Sequence, residues 1–90
     1  MEVKMLDFTG KWCSSCIVLD KILESEIIPK YKEVRFIKVD IEKDEDLTKQ
    51  HEILSVPTLI LFKNSVEIWR KSGTITKEGI IKELEKLTAH

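Results

Sequence analysis

The sequence predicts an α/β domain of the order β-α-β-α-β-β-α, and three observations predict it. In the first half, short apolar runs of β-compatible residues alternate with stretches of helical periodicity. A continuous apolar run then meets an alternating one across a tight turn. A final amphipathic stretch closes the chain. That order reads as a parallel βαβ half followed by a hairpin and a covering helix. With 90 residues and neither repeat nor linker, a single domain over residues 1–90 is expected.

Residues 2–8 carry Val3, Met5, Leu6 and Phe8 and stop at Thr9-Gly10, which makes them the first strand. From Cys13 onward, Val18, Leu19, Ile22 and Leu23 recur at helical spacing, with Asp20, Lys21 and Glu24 placed on the opposite, wet side. Pro29 is expected to end or kink that helix, the chain turning between Ser25 and Glu33. Residues 34–40 form the second strand. Residues 44–51 are polar apart from Leu47 and suit a short solvent-facing helix. Residues 58–62 are uniformly apolar, as in a strand covered on both faces. After a turn at Lys63-Asn64-Ser65, residues 66–70 alternate as a hairpin partner with one wet face. Gly73 breaks the pattern, and Thr76 caps a last helix carrying Ile80, Ile81, Leu84 and Leu87.

Composition narrows the function. Fifteen Lys and Arg against sixteen Asp and Glu leave a net charge of −1, without the basic footprint of a nucleic-acid or anionic-membrane binder. Glu2, Lys4 and Asp7 interrupt the first ten residues, so these are neither a secretory core nor a spanning helix, and no membrane association is expected. With Met1 as the start, the expected setting is a reducing cytoplasm. Two cysteines kept there are catalytic or metal-binding rather than structural.

The sharpest chemical signal is Trp12-Cys13-Ser14-Ser15-Cys16, between a strand and the start of a helix. The spacing puts both sulfurs on one helical turn, where they can form and break a disulfide. It also puts Cys13 at the helix N-terminus, where free N–H groups and the helix dipole stabilise a thiolate. An ordinary thiol of pKa ~8.5 is about 3% ionised at pH 7, whereas one near 7 is roughly half ionised, about 16-fold more. The lower basicity takes back roughly fivefold in nucleophilicity, so the net gain in attack rate is only about threefold. The lowered pKa therefore serves Cys13 as a leaving group as much as a nucleophile. The bland alternative is half of a zinc site, for which only His51 and His90 could add ligands.

The chain resembles the thioredoxin family over its whole length. Leu6-Asp7-Phe8, Trp12 to Cys16, Lys38, Val56-Pro57-Thr58 and Gly73 fall at the family's spacings. The resemblance implies a thioredoxin-like fold with a central four-stranded mixed sheet flanked by helices, thiol–disulfide exchange, and a cis peptide before Pro57 facing the cysteines. Four departures stand out: the usual first strand and helix are missing, Ser14-Ser15 replaces the common Gly-Pro, Thr9 replaces an aromatic, and Lys21 replaces a helix-kinking proline. The absent strand would leave the edge at residues 34–40 open, favouring a monomer or a weak dimer through that edge.

Asp7 in an apolar strand is either solvated at an edge or a buried proton acceptor for Cys16 with a raised pKa. Lys38 is either a surface lysine or a partner that moderates Asp7. Val56 and Pro57 are expected to pair with a client backbone, and Trp12 and Gly73 to flank that groove. Trp69 and His51 read as packing and helix-end residues, and the acidic run at residues 42–46 as a helix start. The expected function is reduction of protein disulfides, with Cys13 attacking and Cys16 resolving. Disulfide-containing client proteins and a thioredoxin-reductase-type donor are the implied partners, and no cofactor is implied. Glutaredoxin-like, oxidase or isomerase activity is the alternative within the enzyme class; a non-catalytic zinc-binding or interaction module is the alternative outside it.

Overall fold

Val3–Thr9 (β1) and Val34–Asp40 (β2) run parallel, paired from Val3↔Val34 to Thr9↔Asp40, in a computed structural model that describes residues 1–88. The crossover between them is the helix α1, Ser14–Ile22, continued by a wider π turn over Leu23–Ile27 and a 3-10 turn over Ile28–Lys30. The helical path thus runs past Ser25, where a turn was expected. Pro29 sits in the first positions of the closing turn, where its missing N–H costs no hydrogen bond.

Thr58–Lys63 (β3) pairs antiparallel with β1, and Val66–Ser72 (β4) pairs antiparallel with β3, giving the order β2-β1-β3-β4. This is the mixed four-stranded sheet of the thioredoxin-like fold. Asn64 and Ser65 both take positive φ in the two-residue connection, which matches the right-handed twist of the hairpin. Short helix α2, Glu45–Gln50, is capped by Asp44, whose Oδ1 accepts from Leu47 N–H at 3.1 Å. Thr76 Oγ1 accepts from Gly79 N–H at 3.0 Å and so opens α3, Lys77–Thr88.

Alternation along the central strands divides the core into two layers. Val3, Met5, Leu59 and Leu61 face α1 and α3, meeting Leu19, Leu23, Ile80 and Leu84. Leu6, Phe8, Val39, Ile60 and Phe62 face the other way, toward Leu47, Ile53 and Val56. β1 and β3 are therefore buried on both faces. Two sequence expectations fail here. β4 has no dry face: only Trp69 is partly covered, because the ladder shifts between Leu61 and Phe62 and breaks the alternation at Ile68. On α1, Val18 is exposed and Asp20 is buried, the reverse of the predicted faces. β2 has a partner on one side only, so its outer edge is open among the described residues.

Candidate functional site

The turn between β1 and α1 presents the two sulfurs. Cys13 N–H donates to Gly10 O at 3.1 Å, which sets Cys13 in an extended conformation as the N-cap of α1. Its Sγ accepts from the backbone N–H of Cys16 at 3.2 Å, and Ser15 Oγ lies 3.3 Å from the same sulfur. No acidic residue stands in the first turn to oppose charge there. Cys13 and Cys16 are joined as a disulfide across a Cα–Cα distance of 5.2 Å. Cys16 is fully buried and Cys13 keeps 7% exposure, so an incoming group meets Cys13 first.

The opposite wall is the segment before β3. The Val56–Pro57 peptide is cis, and the Val56 carbonyl oxygen lies 3.9 Å from Cys13 Sγ. Gly73 N–H donates to Pro57 O at 3.2 Å; Gly73 holds φ +79°, a conformation in which a side chain would be strained. Val56, Pro57 and Gly73 line one cleft together with Ser15 and Val18 of α1. Trp12 is not part of that lining. It is 66% exposed and its indole rests on Gly10, where a Cβ would come within 3.1 Å of the ring.

Behind the helix lies a charged cluster. Asp7 is buried, not solvated at an edge, and its pKa is pushed up to about 9. Burial is the main cause; the carboxyl of Asp20 adds to it by hydrogen bond and charge, and Lys38 opposes it. Lys38 pairs with Asp7 only as a neighbour in the β1–β2 ladder. Its ammonium goes elsewhere, to Asp20 Oδ2 at 3.3 Å and Glu24 Oε1 at 3.8 Å, because Asp20 is the carboxylate that α1 turns toward the sheet. Thr9 Oγ1 also donates to Asp20 Oδ2, at 3.2 Å.

Sequence reasoning missed Asp20 and Ser15. The signal for Asp20 was its position four residues after Cys16, one turn along the same helix face. His51, weighed as a zinc ligand, caps the end of α2 with its ring between Phe8 and Phe62, on the side of the sheet away from α1. His90 lies outside the described residues. No described helix is long and apolar enough to cross a membrane.

A family model described as Thioredoxin matches residues 2–86. A thioredoxin of Chlamydia trachomatis is 35% identical over 82 residues, covering 91% of this chain and 79% of that protein. The thiol:disulfide interchange protein DsbD of Campylobacter jejuni is 33% identical over 87 residues, which is 90% of this chain and 15% of that longer protein. Among solved structures, the oxidised mitochondrial thioredoxin 3 of Saccharomyces cerevisiae superposes with a TM-score of 0.86 at 28% identity, covering 96% of this chain and 79% of that one.

Proposed function

This chain belongs to the thioredoxin family and is a thiol–disulfide oxidoreductase of the protein-disulfide reductase kind, and we propose that Cys13 is the attacking sulfur and Cys16 the resolving one. The Cys13 thiolate attacks one sulfur of a client disulfide; a mixed disulfide forms and the client's other sulfur leaves as a thiolate. Cys16 then gives its proton to the Asp7 carboxylate and attacks Cys13 Sγ. The mixed bond breaks, the Cys13–Cys16 disulfide forms, and the client leaves with two electrons gained; its two thiolates become thiols with one proton from Cys16 by way of Asp7 and one from solvent.

The observation that carries these roles is the position of Cys13 Sγ. It sits at a helix N-cap against the Cys16 N–H, whereas Cys16 is buried one turn further in. Placement supports the other roles we assign. Val56 and Pro57 support the client backbone, Gly73 closes the end of the cleft, Trp12 supplies an apolar flank, and Lys38 tempers the acid cluster. Disulfide-containing proteins are the clients, and a reductase of the thioredoxin-reductase type returns the electrons. A cytoplasmic setting belongs to the same proposal, since the pair must be reduced after every client.

The test is insulin reduction by dithiothreitol. Cys13→Ser is expected to lower precipitation to the unaided rate, and Cys16→Ser to accumulate a mixed disulfide with the client through Cys13. Undiminished activity in Cys13→Ser would overturn the assignment. Turnover driven by glutathione alone at the same rate would instead favour the glutaredoxin-like alternative.

A further inference from the structure

Two buried carboxyls share one pocket between α1 and the sheet. Asp7 projects from the middle of β1, and Asp20 from α1 one turn beyond Cys16. Asp20 Oδ2 holds both of the bonds that favour a negative charge, from Thr9 Oγ1 at 3.2 Å and Lys38 Nζ at 3.3 Å. Asp7 has neither of these. Asp7 Oδ1 and Asp20 Oδ1 are the buried side-chain oxygens that find no partner among the described residues. Two carboxylates placed side by side repel and leave both oxygens unsatisfied, whereas one proton held between them removes the repulsion and supplies a bond.

We propose that Asp20 is a positioning residue that assigns this shared proton to Asp7: Thr9 and Lys38 fix the negative charge on Asp20, and Asp7 is left as the proton carrier behind Cys16. The groups facing Asp7 are Asp20 from α1, Glu24 from the π turn that continues it and Lys38 from β2; its neighbour in β3 is the uncharged Leu59. Asp20 and Glu24 both resist ionisation of Asp7, and Lys38 alone favours it. Thr9, where an aromatic residue was expected from the resemblance, acquires a reason: its hydroxyl is one of the two donors that hold Asp20.

The kinetic consequence rests on the proposed proton route from Cys16 to Asp7. If Asp7 is protonated up to about pH 9, the resolving step speeds up as pH rises toward that value. The experiment follows the side-chain carboxyl carbon of Asp7 by NMR through a pH titration of the oxidised protein. Resolution of a Cys13 mixed disulfide is timed in parallel over the same pH range. Asp20→Asn is expected to move the Asp7 midpoint to lower pH, though not to the ordinary carboxylate range, because burial remains. Each unit of that move puts about tenfold more of Asp7 in the carboxylate form at pH 7. Resolution speeds up by less than that, because the weaker base takes a proton less readily. Asp20→Ala, which leaves no polar group to misplace, shifts the midpoint the same way, and Lys38→Met shifts it upward.

An Asp7 midpoint unmoved in both Asp20 variants, or one lowered by Lys38→Met, overturns the inference. A midpoint that falls while the pH profile of resolution stays fixed upholds Asp20's hold on Asp7. That same outcome removes Asp7 from the proton route proposed above, so the two failures are separable.

Discussion

The first and second turns of α1 treat acidity in opposite ways. At the first turn, an unpaired N–H, the helix dipole and the Ser15 hydroxyl converge on Cys13 Sγ and favour its anion. At the second turn, burial and a neighbouring carboxyl act on Asp7 and disfavour its anion. Asp20, the carboxyl set against Asp7, lies seven residues beyond Cys13, about 10 Å along the helix at ~1.5 Å per residue. A helix terminus offers unsatisfied donors to whatever sits there; one turn in, those donors are spent on the helix itself. Charge then survives only with side-chain partners, and Asp20 has taken both.

The largest way to break this contrast is to neutralise its second half. The folded state holds a proton on Asp7 up to about pH 9, whereas an unfolded chain releases it near the ordinary value of 3.8. A folded-state pKa raised in this way means that stability is fully present below about pH 4 and is lost as pH climbs toward 9. Asp7→Asn cannot titrate and escapes that loss. It is expected to be more stable than the native chain at pH 7 by about 2 kcal/mol or more, roughly 10 °C in melting temperature. The advantage should widen from pH 5 to pH 9 and then level off. Melting curves across that range check it; a constant difference would show that Asp7 ionises normally and that the two turns do not differ. The same variant slows release of client from the mixed disulfide, since Cys16 loses its proton acceptor.

The sequence made one half of this contrast legible and hid the other. Whereas the residues facing it came from the family resemblance, the cysteine pair and its place at a helix start came from local chemistry and spacing that packing does not alter. The βαβ half and hairpin were readable for the same reason: residues 34–40 coincide with β2, and the turn at Asn64-Ser65 has the φ values that such a tight connection requires. The flank of α1 was misread because a charged residue in a helical repeat is assigned to solvent by default. Asp20 defies that rule only because Thr9 and Lys38, distant in sequence, stand across from it. Val18 is left outside in exchange and lines the cleft beside Pro57. β4 was misread for a related reason: the ladder shift breaks its alternation, and no period-two pattern reveals a bulge in advance.

The smallest effect sharpens the other half of the contrast. Ser15 Oγ lies 3.3 Å from Cys13 Sγ, close enough for its hydroxyl to donate to the thiolate once the disulfide is opened. Because Ser15 is exposed, water can replace much of that bond, and the backbone N–H of Cys16 stays in place. Ser15→Ala is therefore expected to raise the Cys13 pKa by less than about one unit and to leave roughly threefold less thiolate at pH 7. The rate of alkylation of Cys13 by iodoacetamide, followed against pH, reads this directly. Helix stability should not fall with it, since alanine favours the helix interior more than serine does. An unchanged alkylation profile would assign the stabilisation of the anion to the helix terminus alone. A shift of two units or more would instead make the hydroxyl the principal donor. The first turn would then resemble the second, with side-chain partners rather than backbone deciding where charge can stand.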